Sequence, residues 1–210
     1  MSDHRGAQTP VRNQGDRPTC VGFAISAAHE WIVGDSITLS PEDAMWAAHQ
    51  AGGSQIEPAT SVRLGLTGLT DSDHARESAW PYGKPPWPAE RPAAAGLAAN
   101  QRVLPGWREL TDLTVEGIES ELDRWLPVIL TIRVVLGAWR PQDGQIDAEP
   151  GGISRGNHAV MVVGVDSNTP GQPRILVKNS WGVRWGDVGY GYISRRYLDE
   201  HAIRAHVLDG

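Results

Sequence analysis

Residues 9–31 constrain this chain more than any other stretch, because there the backbone passes from a broken segment into a helix at one residue. Pro10, Gly15 and Pro18 cannot lie inside a helix without breaking it, so the run up to Thr19 is extended or turning. From Cys20 onward Val21, Phe23, Ala24, Ile25, Ala27, Ala28, Trp31 and Ile32 are apolar on several sides, which predicts a central, buried helix. Cys20 then stands in its first turn, where unpaired backbone N–H groups and the positive end of the helix dipole favour a thiolate. Gln14, followed by Gly15, sits on a turn that can fold back beside the sulfur. Its amide and the backbone N–H of Cys20 would together make an oxyanion hole. A lone cysteine is otherwise a small buried hydrophobe. What makes this one a nucleophile has to come from elsewhere in the chain.

Cys20 is the only cysteine, which excludes an intrachain disulfide and any dependence of the fold on an oxidising compartment. Residues 1–10 hold no basic segment leading into an apolar core, and no apolar run approaches membrane-spanning length. A cytoplasmic location is therefore expected. The net charge of -6 offers no basic surface to nucleic acid or to an anionic membrane. With 210 residues, 40% of them hydrophobic, the chain suits one domain or two closely packed lobes. Its 24 glycines and 9 tryptophans suggest tight turns and large aromatic plates.

After the Cys20 helix, Gly34, Asp35 and Ser36 end the run. Ser40, Pro41, Glu42 and Asp43 then open a second helix, with Ser40 as N-cap and Pro41 at the first position, and Gly52 and Gly53 stop it. Residues 60–66 predict a third, shorter helix capped by Thr60 or Ser61, and the proline-rich residues 78–88 an irregular crossing. Residues 114–125 predict a helix with Ile118, Leu122 and Trp125 on one face. Strands are expected at 127–136, 159–165 and 174–179, with a last one at 189–194 and a loop over 137–152. Helices precede strands, so the fold class is α+β with two lobes.

His158 stands at the start of the strand 159–165, and Asn179 at the end of the strand 174–179. An antiparallel pairing of those strands puts both residues at one edge of the sheet. A cysteine nucleophile needs a base within hydrogen-bond reach, and the base needs an acceptor for its second nitrogen. His158 and Asn179 supply the two. Trp181 can cover the bond between them and so keep water from it.

His158 and Asn179 follow Cys20 by 138 and 159 residues (158 − 20 and 179 − 20), near the roughly 130–150 residues that separate such partners in the papain/cathepsin group. The local strings are similar as well: Gln14-Gly15 before Cys20 and Phe23-Ala24 after it, Asn157-His158-Ala159-Val160, and Lys178-Asn179-Ser180-Trp181-Gly182 followed by Trp185-Gly186 and Gly189-Tyr190. The chain thus resembles papain-like cysteine peptidases, without their disulfides. That resemblance implies a single papain-like domain over residues 1–210: a helical lobe at about 16–100, an antiparallel β-barrel-like lobe at about 101–210, and an N-terminal strap at 1–15.

By the same resemblance Cys20 is the nucleophile, His158 the base and then the acid, Asn179 the orienting group, and Gln14 with the Cys20 N–H the oxyanion hole. Thr131, Ala159 and Trp181 are implied to contact substrate. The thiolate–imidazolium pair would exist before substrate arrives. The expected activity is peptide-bond hydrolysis through an acyl-enzyme, with a peptide or protein substrate, a protein inhibitor or fusion partner as further company, and no cofactor. Two other readings share the site: an acyl transferase or peptide ligase, and a catalytically silent shell that binds peptides or a partner.

Four positions depart from the family pattern. Arg17 stands where a cysteine staples loop to helix, Val21 replaces a tryptophan, Pro18 a glycine, and Glu57-Pro58-Ala59 a glycine pair whose backbone meets the substrate. Proline has no N–H to give there. His201 and His206 are five apart, unlike the i, i+4 pairing that aligns metal ligands on a helix. Residues 186–191 are glycine-rich but lead into a strand, which is not the context of a phosphate loop.

Overall fold

A computed structural model describes residues 2–34, 37–53, 60–83, 90–98, 103–140, 144–147, 152–168 and 172–209. Helix α1 (Cys20–Val33) is the axle of the fold, with every residue from Val21 to Trp31 buried. Ile25 and Ala28 are fully enclosed. One side of α1 meets α2 (Pro41–Gly52) and α3 (Val62–Thr70), and the other meets the sheet. Small residues let the helices close up: a Cβ on Gly22 would stand 2.5 Å from the Pro41 carbonyl oxygen, and one on Gly68 would overlap the backbone of Ala47.

The expected caps are in place. Ser40 Oγ accepts from the Asp43 N–H at 3.2 Å, Ser61 Oγ accepts from the Leu64 N–H at 3.3 Å, and Gly53 ends α2 in the left-handed region. Helix α3 runs on to Thr70, past the sequence estimate, because Leu66 and Leu69 are both fully buried. A short α4 (Ala93–Ala98), which was not expected, completes this layer. Residues 35–36, 54–59, 84–89 and 169–171 lie outside the described residues. The Glu57-Pro58-Ala59 departure, the later part of the proline-rich crossing and most of the turn after Asp166 fall among them.

The second layer is a sheet of β1 (Ser2–Asp3), β2 (Trp107–Leu110), β3 (Val128–Val135), β4 (Gln145–Ile146), β5 (Ser154–Asp166), β6 (Arg174–Lys178), β7 (Tyr190–Ser194) and β8 (Ala202–Leu208). The strand order is β2-β8-β3-β5-β6-β7-β4, with β1 beside β5. All pairs are antiparallel except β4 with β7. Helix α5 (Val115–Asp123), capped by Thr114, lies on it with Ile118 and Leu122 fully buried. This is an α+β fold with a helical side and a mostly antiparallel β side.

Several expectations need correction. The strand at Tyr190 is not the last: α6 (Arg195–His201) and β8 follow, and β8 takes an inner place between β2 and β3. Ser194 ends β7 by capping α6, its Oγ accepting from the Tyr197 N–H at 3.1 Å. Strand β5 begins at Ser154, so His158 lies within the strand and not at its start. The presumed loop 137–152 contains β4, and β2 was not expected at all.

The N-terminal segment ties the two layers together. Ser2 pairs with Val165 in the sheet, and Asn13 bridges to Trp181. Lys178 Nζ donates to the Thr9 carbonyl at 2.7 Å, and the Thr9 hydroxyl donates to Glu30 on α1. Arg12 reaches Glu30 at 2.7 Å and the Leu39 carbonyl at 2.7 Å. At position 17 a charged clamp stands where a covalent staple was missed from the sequence. The Arg17 guanidinium pairs with buried Glu42 (Nη2 to Oε2, 2.9 Å), donates to the Gly83 carbonyl at 2.9 Å, and lies 4.6 Å from the centroid of the Tyr82 ring.

Candidate active site

Cys20 is the first residue of α1, and Thr19 before it does not cap the helix with its side chain. The Tyr82 hydroxyl donates to the Gln14 carbonyl at 2.8 Å, so the Thr19 hydroxyl, 2.7 Å away, spends its proton on Tyr82. The first-turn N–H groups of α1 are thus left without a side-chain acceptor, at the place where the sulfur sits. Backbone groups of Ala159, Val21 and Cys20 itself act on the thiol. The sulfur therefore lies against the middle of β5.

His158, 5% exposed, stands beside Ala159 on that strand. Its Nε2 is 2.8 Å from Asn179 Oδ1. A carbonyl oxygen only accepts, so Nε2 carries the proton and the neutral ring keeps its lone pair on Nδ1. Asn179 Oδ1 is itself fixed by the Ser180 N–H at 2.7 Å, and the Asn179 N–H donates to the Gly189 carbonyl at 3.0 Å.

An aromatic box surrounds the imidazole. Trp181 lies 4.8 Å from it, tilted by 32°, and Trp139 meets it edge-on at 5.5 Å. Trp139 is buried and doubly held: its Nε1–H donates to Tyr197 Oη at 2.7 Å, and its carbonyl accepts from Trp185 Nε1–H at 2.8 Å. Tyr197 Oη donates in turn to the Arg133 carbonyl at 2.8 Å and accepts from the Val135 N–H at 3.0 Å.

Gln14 is buried and aimed by two contacts. The Ser180 hydroxyl donates to its Oε1 at 2.6 Å, and its Nε2 donates to the Arg17 carbonyl at 2.7 Å. An amide nitrogen has two N–H groups, so one remains. The Gln14 backbone N–H donates to the Ser180 carbonyl at 2.8 Å, which fixes the turn against the strand end that holds Asn179.

Burial governs the charge of the pair. It pushes the Cys20 thiol up, against the pull of the backbone groups named above. It pushes His158 down to about 4, against the Asn179 hydrogen bond. The helix terminus favours the thiolate, and burial acts against it. What burial penalises is a charge on either group alone. Cys20 and His158 border one cavity, so a proton passed from Sγ to Nδ1 would leave two opposite charges on it, whose attraction is strengthened where water is excluded.

Cys20 and His158 open on a cavity of about 580 Å³. Thr131 and Ala159, paired across β3 and β5, line it. Trp181 does not line it: it covers the His158 ring instead. Among the other lining residues are Val62 and Arg63 of α3 and Ile203, Arg204 and His206 of β8, none of which the sequence analysis had at the site. Ser180, Trp139 and Tyr197 were missed as supports, although Ser180 lies inside the string that holds Asn179.

A model described as papain family cysteine protease matches residues 70–208. That match takes in His158 and Asn179 and begins after Gln14 and Cys20. The chain is similar to cathepsin J of Mus musculus, 30% identical over 204 residues, covering 90% of this chain and 58% of that protein. It is similar to cathepsin K of Mus musculus, 28% identical over 200 residues, covering 91% and 57%. The chain thus spans less than two thirds of the length of these curated relatives. Among solved structures, xylellain, a cysteine protease from Xylella fastidiosa, superposes with a TM-score of 0.86 at 19% identity, over 99% of this chain and 85% of that one. The bromelain protease from Ananas comosus in complex with the E64 inhibitor gives 0.74 at 22% identity, over 97% and 95%. At such identities these two speak to the fold.

Proposed function

From the premise that this chain belongs to the papain family of cysteine proteases, we propose that it hydrolyses peptide bonds of peptide or protein substrates with Cys20 as nucleophile. The observation that carries this reading is the 2.8 Å bond from His158 Nε2 to Asn179 Oδ1, which leaves the Nδ1 lone pair for a thiol bordering the same cavity. Cys20 Sγ passes its proton to His158 Nδ1 as the sulfur attacks the scissile carbonyl. The carbonyl oxygen, now an anion, takes the Cys20 backbone N–H and the remaining Gln14 Nε2–H. The imidazolium gives its proton to the departing amine. Water, deprotonated by the same ring, then releases the acyl group from sulfur.

Asn179 keeps the ring in the tautomer this sequence of steps requires, and Trp139 and Trp181 keep water from its far side. The test is hydrolysis of a mixed peptide set, together with labelling by a general epoxide cysteine-protease probe. The wild type is expected to cut and to bind one probe per chain; Cys20→Ala should do neither. Cleavage that survives iodoacetamide, or that persists in Cys20→Ala, would refute the assignment.

A further inference from the structure

His206 is 2% exposed, yet it lines the cavity on which Cys20 and His158 open. The register explains how. Across β3 and β8, Thr131 faces Arg204 and Ile129 faces His206, so Thr131, Arg204 and His206 share one face of the sheet. Neither Nδ1 nor Nε2 of His206 has a hydrogen-bond partner among the described residues. Its ring lies 5.7 Å from that of Trp107, a neighbour that does nothing for its nitrogens. Buried polar groups are normally satisfied, and a neutral imidazole brings one donor and one acceptor. Both nitrogens are themselves enclosed, so the imidazole is an unused polar group held at the cavity wall beside the nucleophile.

The charged side chains that line the cavity have one sign, with Glu109 acting on His206 from behind them. Arg63, exposed on the first turn of α3, and Arg204 line the same cavity, and among the described residues no aspartate or glutamate does. Arg204 is paired with Glu109 at 3.1 Å, which leaves Arg63 as the stronger positive field. Burial is the main cause that lowers the His206 pKa, against the pull of Glu109.

Building on the peptidase reading, we propose that this cavity selects an acidic side chain of the substrate, its carboxylate facing the guanidinium groups of Arg63 and Arg204 and drawing the His206 N–H to it by a turn of the enclosed ring. A carboxamide would also satisfy the imidazole. The two arginines decide between them, since contacts to an ionised partner in a partly dried cleft are roughly twice as strong as neutral ones.

The experiment is a set of peptides sharing one cut, with Glu, Gln or Leu placed in turn at each position flanking it, assayed with wild type, Cys20→Ala, Arg63→Gln and His206→Leu. At one position Glu should exceed both Gln and Leu in kcat/KM by about tenfold. That ratio should fall toward one in Arg63→Gln, an exposed change that spares the core, and also in His206→Leu. Cysteine-dependent cleavage with no Glu preference, with Gln preferred, or with a Glu preference untouched by both substitutions would overturn the acidic pocket and leave the peptidase reading standing. Failure of the wild type to cut any peptide would overturn both.

Discussion

The Ser180 hydroxyl donates to Gln14 Oε1 at 2.6 Å while the Ser180 N–H donates to Asn179 Oδ1 at 2.7 Å, so one residue holds both carboxamide side chains. Ser180→Ala removes the first bond and keeps the second. A net hydrogen bond of about 0.5–1.5 kcal/mol, felt where the oxyanion forms, lowers kcat by roughly 2- to 10-fold. Steady-state kinetics should show KM little changed. Gln14→Ala, which removes the donor itself, is expected to cost about 100-fold or more in kcat.

Tyr197 accepts two N–H donors and donates to one carbonyl, all from β3 and Trp139. In Tyr197→Phe the Val135 N–H and the Trp139 indole N–H lose their acceptor inside the core. At about 1–3 kcal/mol for a buried group left unsatisfied, the variant should lose roughly 2–4 kcal/mol by urea unfolding. Trp139 meets the His158 ring edge-on, so kcat should fall with stability. Unchanged kcat would mean that the tryptophan does not position the imidazole.

The depressed pKa of His158 sets a pH dependence of stability. The ring titrates near 6.5 when unfolded and near 4 when folded, so between those values the unfolded chain binds more protons. The contribution is complete above pH 6.5 and is lost as pH falls toward 4, an effect of about 3 kcal/mol. His158→Gln, which carries no titrating ring, should flatten the stability profile over that window. Chemical denaturation at pH 4.5, 5.5 and 7 measures it.

Arg17 is paired with a Glu42 that is 2% exposed. Arg17→Ala leaves that carboxylate buried and uncompensated, an expected loss of about 3–5 kcal/mol. Glu42→Gln in the same chain should return much of it. A loss in the double variant equal to the sum of the two single losses would show that the pair is not coupled.

Gln14, Cys20 and Asn179 were legible in the sequence because each sits where an element starts, ends or turns, whereas His158, read as a strand start, lies inside β5 and was legible only through the string around it. The caps at Ser40, Ser61 and Thr114 were legible as element starts. What escaped has a physical cause too. Strand β8 follows β7 after only the seven residues of α6, and Arg195–His201 shows little apolar periodicity, so nothing in the local pattern announces another strand. His206 was weighed only as a metal ligand, because its placing beside Cys20 depends on pairing with β3, a partner about seventy residues away in sequence. Trp139 lies in a stretch without period, and only the fold turns it toward His158.

The clamp at position 17 has a practical corollary. With Cys20 the lone thiol, a strong reductant can keep that sulfur unoxidised without unlocking any crosslink, because the loop before α1 is fastened by a guanidinium and a carboxylate. The hold on that loop is indifferent to redox potential.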